Sequence, residues 1–126
     1  MQSVLLVNIG FEEIEVNLGA YLVIADTGIH GNTREAVEKV EANGLDALSD
    51  LNQLGELSQK AERALKAKDQ KLLGQLMSQA HNHLKSLGVS CDLSDLLVAT
   101  ALEHGALGSQ DVRRRAWWLY YCSDKY

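Results

Sequence analysis

Proline is missing from all 126 residues, where ordinary usage of about 5% would supply roughly six. A protein built from sheets and long loops would use some. Its absence favours helices joined by glycine turns. Cysteine is scarce, with only Cys91 and Cys122 and no C-x-x-C pair. That excludes a disulfide scaffold and a zinc ribbon and fits a reducing cytoplasm. No stretch approaches the ~20 consecutive apolar residues of a membrane span, and the start lacks the charged-then-apolar layout of a secretory signal. A membrane partner is not expected. Positive charge is also short: 12 Lys and Arg stand against 17 Asp and Glu, leaving a formal net charge of -5. A phosphate backbone rewards a basic face, so nucleic-acid binding is disfavoured.

What is present begins with short apolar runs. Val4 to Ile9 is one, Phe11, Ile14 and Val16 form a second, and Tyr21 to Ala25 a third, with glycines at 10 and 19 between them. Three short strands are the economical reading. The third is apolar at every position and is expected to be the most buried. Glu12, Glu13 and Glu15 suit a solvated strand edge.

Helical periodicity takes over from residue 32. Asn32 suits an N-cap, and Glu35 three residues later completes a capping box. Ala36, Val37 and Val40 follow, and Asn43-Gly44 supplies a stop. Leu45, Leu48, Leu51, Leu54, Leu57, Ala61, Ala64 and Leu65 trace one long amphipathic helix ending near residues 66 to 69. Leu72, Leu73, Leu76, Met77, Ala80, Leu84 and Leu87 give the clearest 3.6-residue period, closed by Gly88. A last helix runs from about Asp92 to His104, with Leu93, Leu96, Leu97, Thr100 and Ala101 expected on its inner side. The class is α+β, with N-terminal strands followed by about four helices.

Two segments invite chemistry. The turn from Asp26 to Arg34 joins a strand to a helix N-terminus, where unpaired N–H groups and glycine freedom suit an anion. Thr27, Gly28, Thr33 and Arg34 would supply backbone, hydroxyl and guanidinium contacts to a carboxylate or phosphate. An ordinary capped turn with a solvated arginine explains the same residues, and the spacing is not that of a G-x-x-x-x-G-K-[ST] phosphate loop. His81 and His83 lie two apart on a helix and point about 200° apart, so they do not share a metal. A surface histidine beside a half-buried one is expected there. The final segment, Gln110 to Tyr126, is unlike the rest: it holds Arg113-Arg114-Arg115, both tryptophans and three of the four tyrosines.

Taken together, Tyr21 to Val37 (YLVIADTGIHGNTREAV), Leu54 to Leu57 (LGEL), Met77 to Leu84 (MSQAHNHL), Leu87 to Ser90 (LGVS) and Ala101 to Ser109 (ALEHGALGS) closely resemble the C-terminal half of bacterial mevalonate kinases. These belong to the galactokinase–homoserine kinase–mevalonate kinase–phosphomevalonate kinase (GHMP) superfamily. The resemblance covers roughly residues 11 to 109. It implies a ferredoxin-like α+β C-terminal domain with added helices, here incomplete. The parent reaction moves the γ-phosphoryl of ATP onto the 5-hydroxyl of mevalonate, with ATP and Mg as the intact family's requirements. It also places Thr27, Gly28, Thr33 and Arg34 toward the acceptor pocket of an intact enzyme.

The departures are as informative. The family's serine- and glycine-rich phosphate loop (P-x-x-x-G-L-G-S-S-A-A) and its aspartate base are not among these residues. Its third motif, typically K-M-S-G-G-G-L-G-G-C, should follow Ser109, where Gln110 to Trp118 stand instead. A reading-frame shift of one base accounts for this. One choice of codons for Gln110 to Tyr126, read one base later, gives K-M-S-G-G-G-L-G-G-C-I-I-A-L-I-N. Tryptophan has a single codon, so Trp117-Trp118-Leu119 forces two glycines in the shifted frame whatever other codons are chosen. Residues 1–109 therefore read as a partial kinase domain and 110–126 as an off-frame tail. The expectation is a truncated mevalonate kinase without catalytic residues, nucleotide site or metal site of its own, inactive alone. The alternative is a non-enzymatic helical domain that self-associates, as a homodimer, through an uncovered sheet edge or helix face. Strand-prone Ala116 to Cys122 would suit that edge, within the chain or in a neighbour.

Overall fold

The computed structural model describes the backbone of residues 2–7, 10–15, 18–26, 28, 33–112 and 117–123, and the side chains of 18–25, 28 and 34–111. Strands β1 (Gln2–Val7) and β2 (Gly10–Glu15) pair antiparallel as a hairpin with Leu6 opposite Phe11. Strand β3 (Ala20–Asp26) leads into helices α1 (Thr33–Asn43), α2 (Leu45–Ala67), α3 (Gln70–Ser86) and α4 (Asp92–Glu103). Strands β4 (Gly108–Val112) and β5 (Trp117–Ser123) follow. The class is α+β, and the helix boundaries fall where the periodicity places them. The capping box drawn from Asn32 lies outside the described residues.

The second sheet has the order β3-β5-β4, with both pairings antiparallel. Strand-prone Trp117 to Ser123 thus takes the central position, flanked by a strand from the start of the chain and one just before it. Helices α3 and α4 pack on β4. At that contact the α3 backbone lies against the strand: a Cβ on Gly74 would overlap the Leu107 carbonyl, and one on Gly108 would overlap Gly74. Two glycines facing each other permit this closeness, and any side chain would force the helix off the strand.

Helices α2 and α3 are joined by Lys68 and Asp69. Asp69 caps α3 by accepting from the Leu72 amide at 3.1 Å. Leu57, Ala64 and Leu76 form the core between them, with Leu54, Ala61, Leu73 and Ala80 around it. The start of α2 departs from the expected stripe, since Leu45, Leu48 and Leu51 are exposed. Asp50 already bonds Ser86, the last residue of α3, so the first turn of α2 overruns its partner.

Two further expectations are corrected. Strand β3 is not the most buried: Tyr21, Leu22 and Ile24 are 58%, 56% and 51% exposed. It lies at the edge of its sheet, on the far side from the helices that cover β4. Helix α4 turns Ser94 and Val98 inward, leaving Leu93, Leu96 and Thr100 exposed. Its small residues meet β4, and the Ser94 hydroxyl bonds across to that strand. A count of apolar residues alone misses this.

Candidate functional site

The turn after β3 is the place the sequence singles out, and strand register defines its surroundings. Asp26 pairs with Trp117, and Trp117 pairs with Val112. The last residues of β3 and β4 and the first of β5 therefore lie together at one end of the sheet. Gly28 has φ +73, in the left-handed region, and an added Cβ would meet nothing within 4 Å. Glycine is thus required there by backbone conformation, not by crowding. Arg34 stands in the first turn of α1 with its side chain 89% exposed, its Nε 3.3 Å from Glu38 Oε1. An exposed pair one helical turn apart holds an arginine only weakly. Thr33 opens α1, though its side chain lies outside the described residues, as does Thr27 altogether. Gly28, Thr33 and Arg34 thus lie along one strand-to-helix junction between β3 and α1.

A second cluster escapes the sequence reading. His81 is 4% exposed, not half-buried beside a surface neighbour. The Asp111 amide donates to its Nδ1 at 3.1 Å, so Nδ1 is the acceptor and Nε2 carries the proton. Nε2–H then donates to Asp95 Oδ1 at 2.9 Å. Ser94 accepts from the Cys91 amide at 2.9 Å, and its one hydroxyl proton is shared between the Cys91 carbonyl and Asp111 Oδ2. Nearby, the Ser109 amide donates to Ser78 Oγ at 3.3 Å. These bonds tie α3, α4 and β4 together. The signal that could have found them is Ser78 and His81, three apart on α3, beside a Ser94-Asp95 pair in the first turn of a largely apolar helix.

His83 Nδ1 bonds Asp50 Oδ1 at 2.8 Å, and Ser86 donates to Asp50 Oδ2 at 2.9 Å. These bonds, that of His83 first, hold the Asp50 carboxyl below its ordinary range. They fasten α2 to the end of α3. No group of three or more metal-ligating side chains occurs among the described residues. No helix among them is long and apolar enough to cross a membrane. A cleft of about 360 Å³ opens between α2, α3 and β4, lined by Leu54, Leu57, Leu73 and Leu76 and also by Gln110 and Asp111. It belongs to the helix–sheet packing and not to the β3–α1 junction.

No protein-family model matches the chain, and no curated protein sequence matches it. Solved structures do. L. major mevalonate kinase in complex with R-mevalonate superposes with a TM-score of 0.75 at 24% identity, over 92% of this chain and 38% of that one. Mevalonate kinase from methicillin-resistant Staphylococcus aureus gives 0.68 at 22% identity, over 90% and 37%. Lactococcus lactis galactokinase complexed with galactose gives 0.73 at 18% identity, over 92% and 41%. The chain thus has a fold found in about two fifths of each of these kinases. At such identities the likeness concerns the fold alone.

Proposed function

We propose that this chain is the C-terminal part of a small-molecule kinase of the galactokinase–mevalonate kinase superfamily, of mevalonate kinase type, and that it transfers no phosphoryl group by itself. The observation that carries this is the fold shared with three such kinases over nine tenths of the chain. The pattern Ala25-Asp26-Thr27-Gly28 at the end of β3, with Thr33 and Arg34 beyond, supports the mevalonate kinase type. In that reading these residues face an anionic acceptor such as mevalonate, and a phosphate loop and base come from residues outside this sequence.

Phosphoryl transfer depends on positioning and on stabilising the charge of the moving group with metal, loop amides and base. Amides cradle a phosphate best where glycine lets the backbone close in. Arg113-Arg114-Arg115, standing in the sequence where the third motif would have glycines, cannot reproduce such a loop. ATP and Mg belong to the intact enzyme, and the cytoplasm is its proposed setting. Gly28 and Arg34 do not by themselves compose a nucleotide site.

The tail is proposed as an off-frame translation of the third motif. The central position of β5 supports it: the shifted reading puts Cys-Ile-Ile-Ala-Leu on positions 119–123, within β5. Both frames are strand-prone, so the sheet keeps its middle strand while the preceding loop loses its glycines. The nucleotide sequence of the locus tests this directly. A one-base shift restoring K-M-S-G-G-G-L-G-G, with phosphate-loop codons upstream, is expected. A tail in frame with no kinase coding around it overturns the fragment reading. Purified protein is expected to show no ATP-dependent conversion of mevalonate, and measured turnover would overturn the claim of inactivity.

A further inference from the structure

We propose that His81 is a pH-operated latch on β4: the neutral ring holds the end of the strand against α3, and protonation of its Nδ1 releases that end. Nothing in it depends on the kinase reading.

Two amides of β4, two residues apart, donate to α3. That of Ser109 reaches Ser78 Oγ at 3.3 Å, and that of Asp111 reaches His81 Nδ1 at 3.1 Å. The two acceptors differ in one respect. A hydroxyl oxygen accepts at any ordinary pH, whereas an imidazole nitrogen accepts only while it carries no proton. A backbone amide cannot reverse its role. A proton on Nδ1 therefore sets two donors face to face, and the Asp111 amide must give way.

Burial by itself would keep such a ring uncharged. Here a counter-charge is in place, since Asp95 Oδ1 on α4 accepts from Nε2–H at 2.9 Å. From β4 comes Asp111, which bears the latched amide and whose Oδ2 accepts from Ser94 at 3.3 Å. Cys91, half-buried, stands just ahead of α4, while Asp92 on α4 and Lys85 on α3 are exposed. Asp50 of α2 is bonded to His83, about 200° away around α3. These are the titratable groups on the packed elements among the described residues. Asp95 accepts from Nε2–H in both charge states, so it holds the ring still while Nδ1 changes from acceptor to donor. One bond demands the neutral form, and the carboxylate makes the charged form attainable inside the fold. The latch is closed at neutral pH and opens as pH falls. It acts on the fourth of the five residues of β4, at the end of the sheet where β3 also finishes.

Amide hydrogen exchange on the whole chain, followed by NMR from about pH 7.5 to about pH 5, reads the two bonds separately. After correction for the intrinsic pH dependence of exchange, protection of the Asp111 amide is expected to fall by up to about tenfold per pH unit below ~6.5, because opening takes up one proton. The Ser109 amide, held by a hydroxyl, is the internal control and is expected to keep its protection. His81→Asn puts an amide oxygen where Nδ1 stands, an acceptor that does not titrate, and is expected to abolish the fall. Circular dichroism checks that this variant folds; if it does not, the contrast between the two amides of the wild type decides. Asp111 protection that ignores pH, a parallel loss at Ser109, the same fall in His81→Asn, or a ring that carries its proton on Nδ1 at neutral pH each overturns the proposal.

Discussion

Asp50 joins two helices through one carboxylate, with His83 on one oxygen and Ser86 on the other. Both bonds favour the ionised form, so the folded chain binds the Asp50 proton less readily than the unfolded chain does. For a depressed carboxyl, stability is present above the unfolded value of about 3.9 and is lost as pH falls through the lower folded value. Urea midpoints measured downward from about pH 5 should fall more steeply in the wild type than in Asp50→Asn. Identical slopes would remove Asp50 as a contributor. The same scale shows what sequence reading could reach. Gly28 was legible because a left-handed turn after a strand calls for glycine. The role of His81 was not, because its partners Asp95 and the Asp111 amide lie 14 and 30 residues away.

Among the elements, two helical glycines behave in opposite ways. Gly55 sits within α2 with nothing within 4 Å of where a Cβ would be, so it contributes only backbone freedom. Gly55→Ala should stabilise by about 0.5–1 kcal/mol. Gly74 lies against the Leu107 carbonyl, and Gly74→Ala should destabilise by about 1–3 kcal/mol through forced separation of α3 from β4. Denaturant unfolding of the two variants checks both signs, and equal effects would refute the close packing. Helix boundaries were legible from periodicity and glycine stops, while helix faces were less so. For α4 the leucines Leu93 and Leu96 are bulkier and more apolar than the inward Ser94 and Val98, yet a hydroxyl that bonds across to β4 decides the orientation. For β3, an apolar run signals a strand but says nothing of whether a neighbour covers it.

At the scale of the whole molecule, the second sheet depends on its C-terminal strand. β5 is the shared partner of β3 and β4, and among the described residues no other strand pairs with either. A chain ended after Ser109 also loses the Asp111 amide bond to His81. Its thermal transition by circular dichroism is expected to be broad or absent, and a cooperative transition at the wild-type midpoint would contradict this. The three N-terminal strands and four helices were legible in order, while β4 was not and Ala116 to Cys122 read only as strand-prone. Of the two candidate places, the junction holding Gly28, Thr33 and Arg34 could be picked out from consecutive residues, whereas the His81 cluster could not, because its members lie on three separate elements.

The central placement of β5 has a bearing on synthesis. About ninety residues separate the end of β3 from the start of β5, which at about 5–20 residues per second is roughly 5–20 s of translation. Throughout that interval Tyr21 to Ile24 are already made, strand-prone and without their hydrogen-bonding neighbour. Helices α1 to α4 form from local contacts in the meantime, far faster than translation proceeds. On the ribosome the molecule is therefore a helical body trailing an unpaired apolar strand, and nascent-chain chaperones would meet it in that state.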